Sequence, residues 1–102
     1  ERKSPQDLFQ TLGKGHKRFK KELERAENYE YFAIVVDAPF TTIMTKAFDS
    51  SHYSTMRGDV IIQICCTLAT KYGIHFWFCH DRNESTTVIR NLFKAYMKLQ
   101  KG

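Results

Sequence analysis

The sequence lacks what would place it in a membrane or outside a cell. No apolar run approaches the roughly 20 residues that a bilayer-spanning helix needs. The opening Glu1-Arg2-Lys3 is too charged for a signal peptide. Cysteine is scarce, three in 102 residues. Cys65 and Cys66 are adjacent and Cys79 stands alone, all in apolar stretches, which argues against a disulfide framework and for reduced thiols. A zinc reading of Cys79 with His75 and His80 fails for want of a second cysteine and of a ligand spacing. Gly13-Lys14-Gly15 lacks the frame of a phosphate-cradling P-loop. There is no internal repeat, low-complexity tract or interdomain linker. The expectation is one soluble, intracellular domain over residues 1–102, in the cytoplasm of a bacterium or phage host or in a nucleus, with no membrane partner.

Acidic residues are also in deficit, 11 against 16 Lys and Arg, for a net charge of +5. The excess is concentrated in GKGHKRFKK, Gly13 to Lys21, ahead of Glu22, Glu24 and Glu27. A basic segment of this density suits a polyanion, most often nucleic acid. By itself it is equally a solvated helix face.

Hydropathy patterning then supplies the elements. Ser4-Pro5-Gln6-Asp7 is a helix start, with Ser as N-cap, Pro at the first helical position and an acid in the first turn. Leu8, Phe9 and Leu12 give that helix an apolar face. Gly13 and Gly15 interrupt it, and a second helix resumes near His16, with Phe19, Leu23 and Ala26 inward and Asn28 as a stop. Tyr31 to Val36 reads as a strand buried on both faces, ended by Asp37-Ala38-Pro39. Phe40 to Tyr53 shows no clear period. Asp59 to Tyr72, begun near Ser54 and stopped by Gly73, reads as a buried helix. Ile74 to Cys79 is a strand. Glu84 to Gln100 is a helix with a stripe of Val88, Ile89, Leu92, Phe93, Tyr96 and Leu99. His16 and His52 fall in polar segments and read as surface residues.

Strands joined through helices lie parallel, so the order predicts an α/β fold. Two strands make too small a sheet. A further strand is expected before Ser4, with Glu1-Arg2-Lys3 as its last residues and earlier N-terminal strand residues missing. Ligands of open α/β sheets bind beyond the carboxyl ends of the strands. There Glu1 and Lys3, two apart on a strand, point together while Arg2 points away. Asp37 ends the neighbouring strand, as a ligand or simply as a turn residue. Asp7, one helical turn on, can reach Arg2 or Lys3. Hard carboxylate oxygens suit Mg²⁺ or Mn²⁺, and an adjacent lysine can orient a water or neutralise charge developing on a phosphate. That is a kit for phosphodiester hydrolysis.

ERKSPQDL resembles the ERKxxxD motif of the XPF/Hef-type nuclease domain, and the downstream order of elements is similar to that family over nearly the whole chain. The resemblance implies a restriction-endonuclease-like α/β three-layer sandwich with a central mixed sheet. It implies a metal-dependent DNA endonuclease acting on branched or flap DNA, and a homodimer. By that resemblance Glu1 would be a metal ligand, Lys3 the catalytic lysine, and Arg2 and Asp7 the remaining motif positions; Asp37, at the neighbouring strand end, is a further candidate metal ligand. The family's Gly-Asp pair, whose Asp is a further metal ligand, is expected upstream of Glu1; Gly58-Asp59 does not replace it. Lys14, Lys17, Arg18, Lys20 and Lys21 are the candidate phosphate contacts. Two rivals stand beside this reading: a catalytically inactive DNA-binding or partner subunit of the same fold, and a small-molecule or signalling domain with a fortuitous motif.

Overall fold

The computed structural model describes residues 1–13, 15–26, 31–45 and 57–101. In chain order the elements are β1 (Arg2–Lys3), α1 (Pro5–Leu12), α2 (His16–Ala26), β2 (Ala33–Val36), α3 (Phe40–Thr45), α4 (Gly58–Tyr72), β3 (His75–Phe78) and α5 (Arg82–Lys101). The strands form one sheet in the order β1-β2-β3. Arg2 pairs with Val35 and Lys3 with Val36, while Ala33 to Val36 run beside His75 to Phe78.

A mixed sheet is the expectation above; the three described strands are instead all parallel. Each connection leaves the carboxyl end of one strand and returns through helices to the amino end of the next, which permits no antiparallel neighbour among them. The expected strand before Ser4 is present as β1.

Local chemistry sets the ends of these elements. The Ser4 hydroxyl accepts from the Asp7 N–H at 3.2 Å, and Pro5 opens α1. Gly73 closes α4 in the left-handed region, φ 69° and ψ 27°, which a residue without Cβ adopts at least cost. At α5 the Asp81 carboxylate accepts from the Glu84 N–H at 2.8 Å, and the Glu84 carboxylate accepts from the His80 N–H at 2.9 Å. These reciprocal caps start α5 at Arg82, two residues before the expected Glu84. Arg57 stands at the N-cap position of α4 without a side-chain bond to the helix backbone, and instead forks onto Asp59 at 3.1 and 2.9 Å, so the Arg-Gly-Asp triplet is a helix entrance. The expected helix stop at Asn28 and helix start near Ser54 lie outside the described residues, as does His52.

The core occupies one face of the sheet. Leu8, Phe9 and Leu12 of α1, Phe19 and Leu23 of α2, Ile43 of α3 and Ile61, Cys65 and Leu68 of α4 pack with Ile34 and Val36 of β2. The α3 turn lies where the sequence shows no clear period; only its Ile43 is buried. On the opposite face, Ala33 and Val35 share an apolar pocket with Ile89, Leu92, Phe93 and Tyr96 of α5.

The α5 stripe is a core face in its first half only. Ile89 and Leu92 are half-buried, whereas Phe93 is 67% and Leu99 79% exposed. A 20-residue helix is roughly 30 Å long, and a four-residue strand spans only about 13 Å, so α5 outruns the sheet it covers. Among the described residues, no helix is long and apolar enough to cross a membrane.

Candidate active site at the carboxyl edge of the sheet

Glu1 and Lys3 meet. The Lys3 Nζ lies 2.9 Å from Glu1 Oε1, with the lysine side chain largely buried and the glutamate partly exposed. The backbone explains their convergence. Glu1 N donates to the Ala33 carbonyl at 2.8 Å, Val35 N–H to the Glu1 carbonyl at 2.7 Å, and Asp37 N–H to the Lys3 carbonyl at 2.9 Å. Clamped into the ladder, residues 1 and 3 must project from the same face.

That pair opens onto a polar pocket of about 240 Å³ that Gln10, Thr11, Gly15, Arg18, Phe19 and Glu22 complete. The turn between α1 and α2 brings these residues over β1. Gly15 N–H donates to the Gln10 carbonyl at 3.0 Å, and a Cβ at Gly15 would stand 3.2 Å from the Gln10 and Thr11 carbonyl oxygens. A side chain there would require those backbone carbonyls to shift by a few tenths of an ångström, so glycine suits the tight turn. Phe19 then anchors α2 in the core, which fixes Arg18 and Glu22 beside the site.

Arg2 and Asp37 form a second, separate pair, Nε to Oδ2 at 3.6 Å. Register accounts for it. Arg2 pairs with Val35, and Asp37 follows Val35 by two, so both belong to the face that α5 covers. The structure therefore brings Glu1 to Lys3 and Arg2 to Asp37, and does not bring Asp37 to the Glu1–Lys3 face. The second Asp37 oxygen, Oδ1, is buried without a hydrogen-bond partner among the described residues. Asp7 is exposed; its N–H serves the Ser4 cap, and among the described residues its carboxylate forms no ion pair.

Of the candidate phosphate contacts, Lys17, Arg18, Lys20 and Lys21 are exposed on α2, and Lys14 lies outside the described residues. Lys17, Arg18, Lys21 and Arg25 line one shallow surface with a single acid, Glu22, among them. His16, expected at the surface, is half-buried with Nε2 enclosed and unpartnered among the described residues.

In the sequence Arg18 stands as one cation in a run and Glu22 as an acid behind it, and nothing there singles out Gln10 or Thr11. One signal was available: Arg18 and Glu22 are four apart and flank Phe19 and Leu23, so they border the inward stripe of α2.

The thiols stand apart from this chemistry. Burial, reinforced by the neighbouring Cys66, pushes the Cys65 thiol up to about 12, and burial raises that of Cys79 as well. Neither is a nucleophile at neutral pH.

Among the described residues there is no group of three or more His, Cys, Asp or Glu side chains that would form a closed cage for a metal. Mg²⁺ needs less, since it keeps several waters and takes one or two carboxylates plus substrate phosphates. Glu1 and Glu22 both line the Lys3 pocket, so its hard-oxygen donors fit an open site of that kind.

No curated protein and no solved structure matches the chain significantly. A family model does: the ERCC4 domain, over residues 1–92, which runs from Glu1 through Leu92, the last half-buried residue of α5. That domain defines a family of structure-specific nucleases. With nine-tenths of its length matched, ERKSPQD included, the chain belongs to the ERCC4 domain family.

Proposed function

We propose that the chain is a divalent-metal-dependent DNA endonuclease with a restriction-endonuclease-like fold, hydrolysing phosphodiester bonds in branched or flap DNA. The observation that carries this reading is the 2.9 Å contact between Glu1 and Lys3, facing a polar pocket shared with Arg18 and Glu22. Glu1 would hold Mg²⁺ or Mn²⁺. Such an ion, when bound, lowers the pKa of its water and offsets charge on the phosphate.

The chain's own groups do the rest. The Lys3 ammonium, steered by Glu1, presents the donors left free by that ion pair to the attacking water or to a non-bridging phosphate oxygen. Arg18 grips the phosphate from the opposite wall. Arg2 and Asp37 brace the strand ends from the other face, so Asp37 serves Arg2 rather than the ion. Asp7 sits in the first turn of α1, where a carboxylate favours the helix start and so steadies the strand-to-helix junction. Lys14, Lys17, Lys20 and Lys21 follow the DNA backbone. The protein acts inside the cell and as a homodimer, with the exposed α5 stripe available to a second copy; a monomer in gel filtration at high concentration would count against the dimer.

The test is cleavage of branched, flap and linear DNA by the full-length protein with Mg²⁺ or Mn²⁺, with Glu1→Ala and Lys3→Ala in parallel. Undiminished cleavage by both variants would remove the site assignment. A non-catalytic DNA-binding subunit is the second reading, favoured by the exposed Lys17, Arg18, Lys21 and Arg25 surface of α2, which can hold a phosphate backbone without any chemistry. It expects salt-sensitive DNA binding and no metal-dependent cleavage in the same assay.

A further inference from the structure

The last helix carries a charged face that the Glu1–Lys3 chemistry does not use. Arg82, Arg90, Lys94, Lys98 and Lys101 set five cations on α5 against one acid, Glu84. That carboxylate is engaged by the His80 N–H at 2.9 Å, and no acid follows it from Ser85 to Gly102. Arg90, Lys94, Lys98 and Lys101 are all exposed, and among the described residues none of them forms an ion pair.

Helix geometry gathers these four into one row. At about 100° per residue, positions 90, 94, 98 and 101 fall within about 80° of one another. They lie opposite buried Ser85 and half-buried Ile89 and Leu92, the side that turns toward the sheet. At about 1.5 Å per residue the row is about 16 Å long, in steps of about 6 Å or less. A face that is merely solvated mixes both signs, because cations four apart, such as Arg90 with Lys94 and Lys94 with Lys98, repel and weaken the helix. Lys98 and Lys101 have a local reason to be there, since they sit in the last turn beside the negative end of the helix. Arg90 and Lys94 come about two turns or more before that end and have no such reason. A row of one sign fits a polyanion outside the chain with repeating charge, and a phosphate backbone is one.

The place of α5 in the fold decides which stretch of backbone it meets. The cations of α2 are on the core side of the sheet, where Phe19 and Leu23 anchor that helix, while α5 covers Ala33 and Val35 on the other side. A straight duplex laid against α2 therefore has the sheet between it and α5. We propose that the outer face of α5 binds the backbone of a second duplex arm through Arg90, Lys94, Lys98 and Lys101. One chain then holds two arms of a branched DNA, one on each side of its sheet. The choice of DNA as the polyanion rests on the nuclease reading; the binding itself needs neither metal nor cleavage.

The test works with the full-length protein in EDTA, so that binding is measured without chemistry. Duplexes of about 12 base pairs, about 40 Å long, are titrated onto the protein at low salt, and each wild-type chain should take up two. The combined variant Arg90→Gln, Lys94→Gln, Lys98→Gln and Lys101→Gln should take up one, as should Lys17→Gln with Lys20→Gln and Lys21→Gln. On branched DNA the α5 variant should reduce the slope of log affinity against log salt by about 3 to 4. Its melt should equal or exceed that of wild type, because the changed side chains are exposed and the like charges are gone. One duplex per wild-type chain, or a salt slope of the α5 variant within about one of wild type, would overturn the second site and leave this face to an acidic protein or to solvent. Two duplexes bound by a protein that cuts no DNA when Mg²⁺ is supplied would instead defeat the nuclease reading and leave the α5 site standing.

Discussion

Replacing Lys3 by Met separates an ion pair that clamps a strand from one that performs chemistry. Methionine keeps most of the apolar stem, which matters because the lysine side chain is only 12% exposed, and deletes the ammonium. What the fold loses is a pair whose other member, Glu1, is 43% exposed. Half-solvated pairs of this kind contribute on the order of 1 kcal/mol or less. For a domain of this size that lowers Tm by about 4–8 °C. Losing a donor aimed at charge that develops in the transition state costs far more, about 2.7–4 kcal/mol, or 100- to 1,000-fold in rate. The two readings therefore differ by some two orders of magnitude at a temperature where the variant remains folded. Single-turnover cleavage of flap DNA at 25 °C, with a thermal melt on the same sample, measures both. A Lys3→Met protein that melts a few degrees low yet cuts within about three-fold of wild type would falsify the catalytic role and leave a structural clamp.

Two glycine variants make a contrast. Gly15→Ala forces a Cβ to 3.2 Å from two backbone carbonyl oxygens, an overpacking cost of about 1–3 kcal/mol; it should lower Tm and, by shifting α2, reduce cleavage beyond what the melt accounts for. Gly73→Ala meets open space but an unfavourable φ of 69°, so it should cost about 1 kcal/mol in a denaturant titration and spare activity. Arg18→Ala should cut cleavage at least about 10-fold because Arg18 shares the Lys3 pocket, whereas Lys20→Ala should mainly weaken DNA binding and reduce its salt slope by about 1. The Cys65 thiol is raised from 9.0 to about 12 by burial, so the folded chain keeps a proton that the unfolded chain releases. Its stabilisation is full below pH 9 and lost as pH climbs through 12, by the order of a few kcal/mol. Cys79 adds a loss of the same sign. Urea titrations between pH 8 and 11 should show that decline, and Cys65→Ala should flatten it.

The elements were legible where local chemistry decides them. Ser4-Pro5 fixes the start of α1 and Gly73 the end of α4, and both read directly from residue type. The strand at Glu1-Arg2-Lys3 followed from counting: two internal strands need a third, and the alternation within it puts Glu1 and Lys3 on one face. Asp37 was harder. Its place at a strand end suggested convergence with Glu1, but the face it serves depends on register with β1, a nonlocal quantity that shifts by a whole side when pairing slips by one. Arg18 and Glu22 were half-hidden for a related reason. Their four-residue spacing marks them as bordering the inward stripe of α2, but that this border faces Glu1 and Lys3 comes from the turn at Gly15, which is not written in α2. The α5 stripe misled in the other direction. Its pattern is uniform from Val88 to Leu99, yet burial stops at Leu92, where the short sheet ends.

An adjacent Arg and Lys on a strand cannot serve the same pocket, because successive side chains leave opposite faces. In this chain the alternation divides the motif into two jobs. Glu1 and Lys3 look toward α1 and α2, where the polar pocket and the basic helix lie. Arg2 looks toward α5 and meets Asp37. Neither Arg2 nor Asp37 lines the first pocket, so the value of the second pair lies in holding β1 to β2 near the two reacting groups. It follows that charge reversal on that face, exchanging Arg2 and Asp37 as Arg2→Asp with Asp37→Arg, should restore much of the stability that either single change removes. The same exchange between Glu1 and Lys3 should restore stability and no activity. If the double exchange at Arg2 and Asp37 recovers no stability, or the one at Glu1 and Lys3 recovers cleavage, the division of the motif by face is wrong.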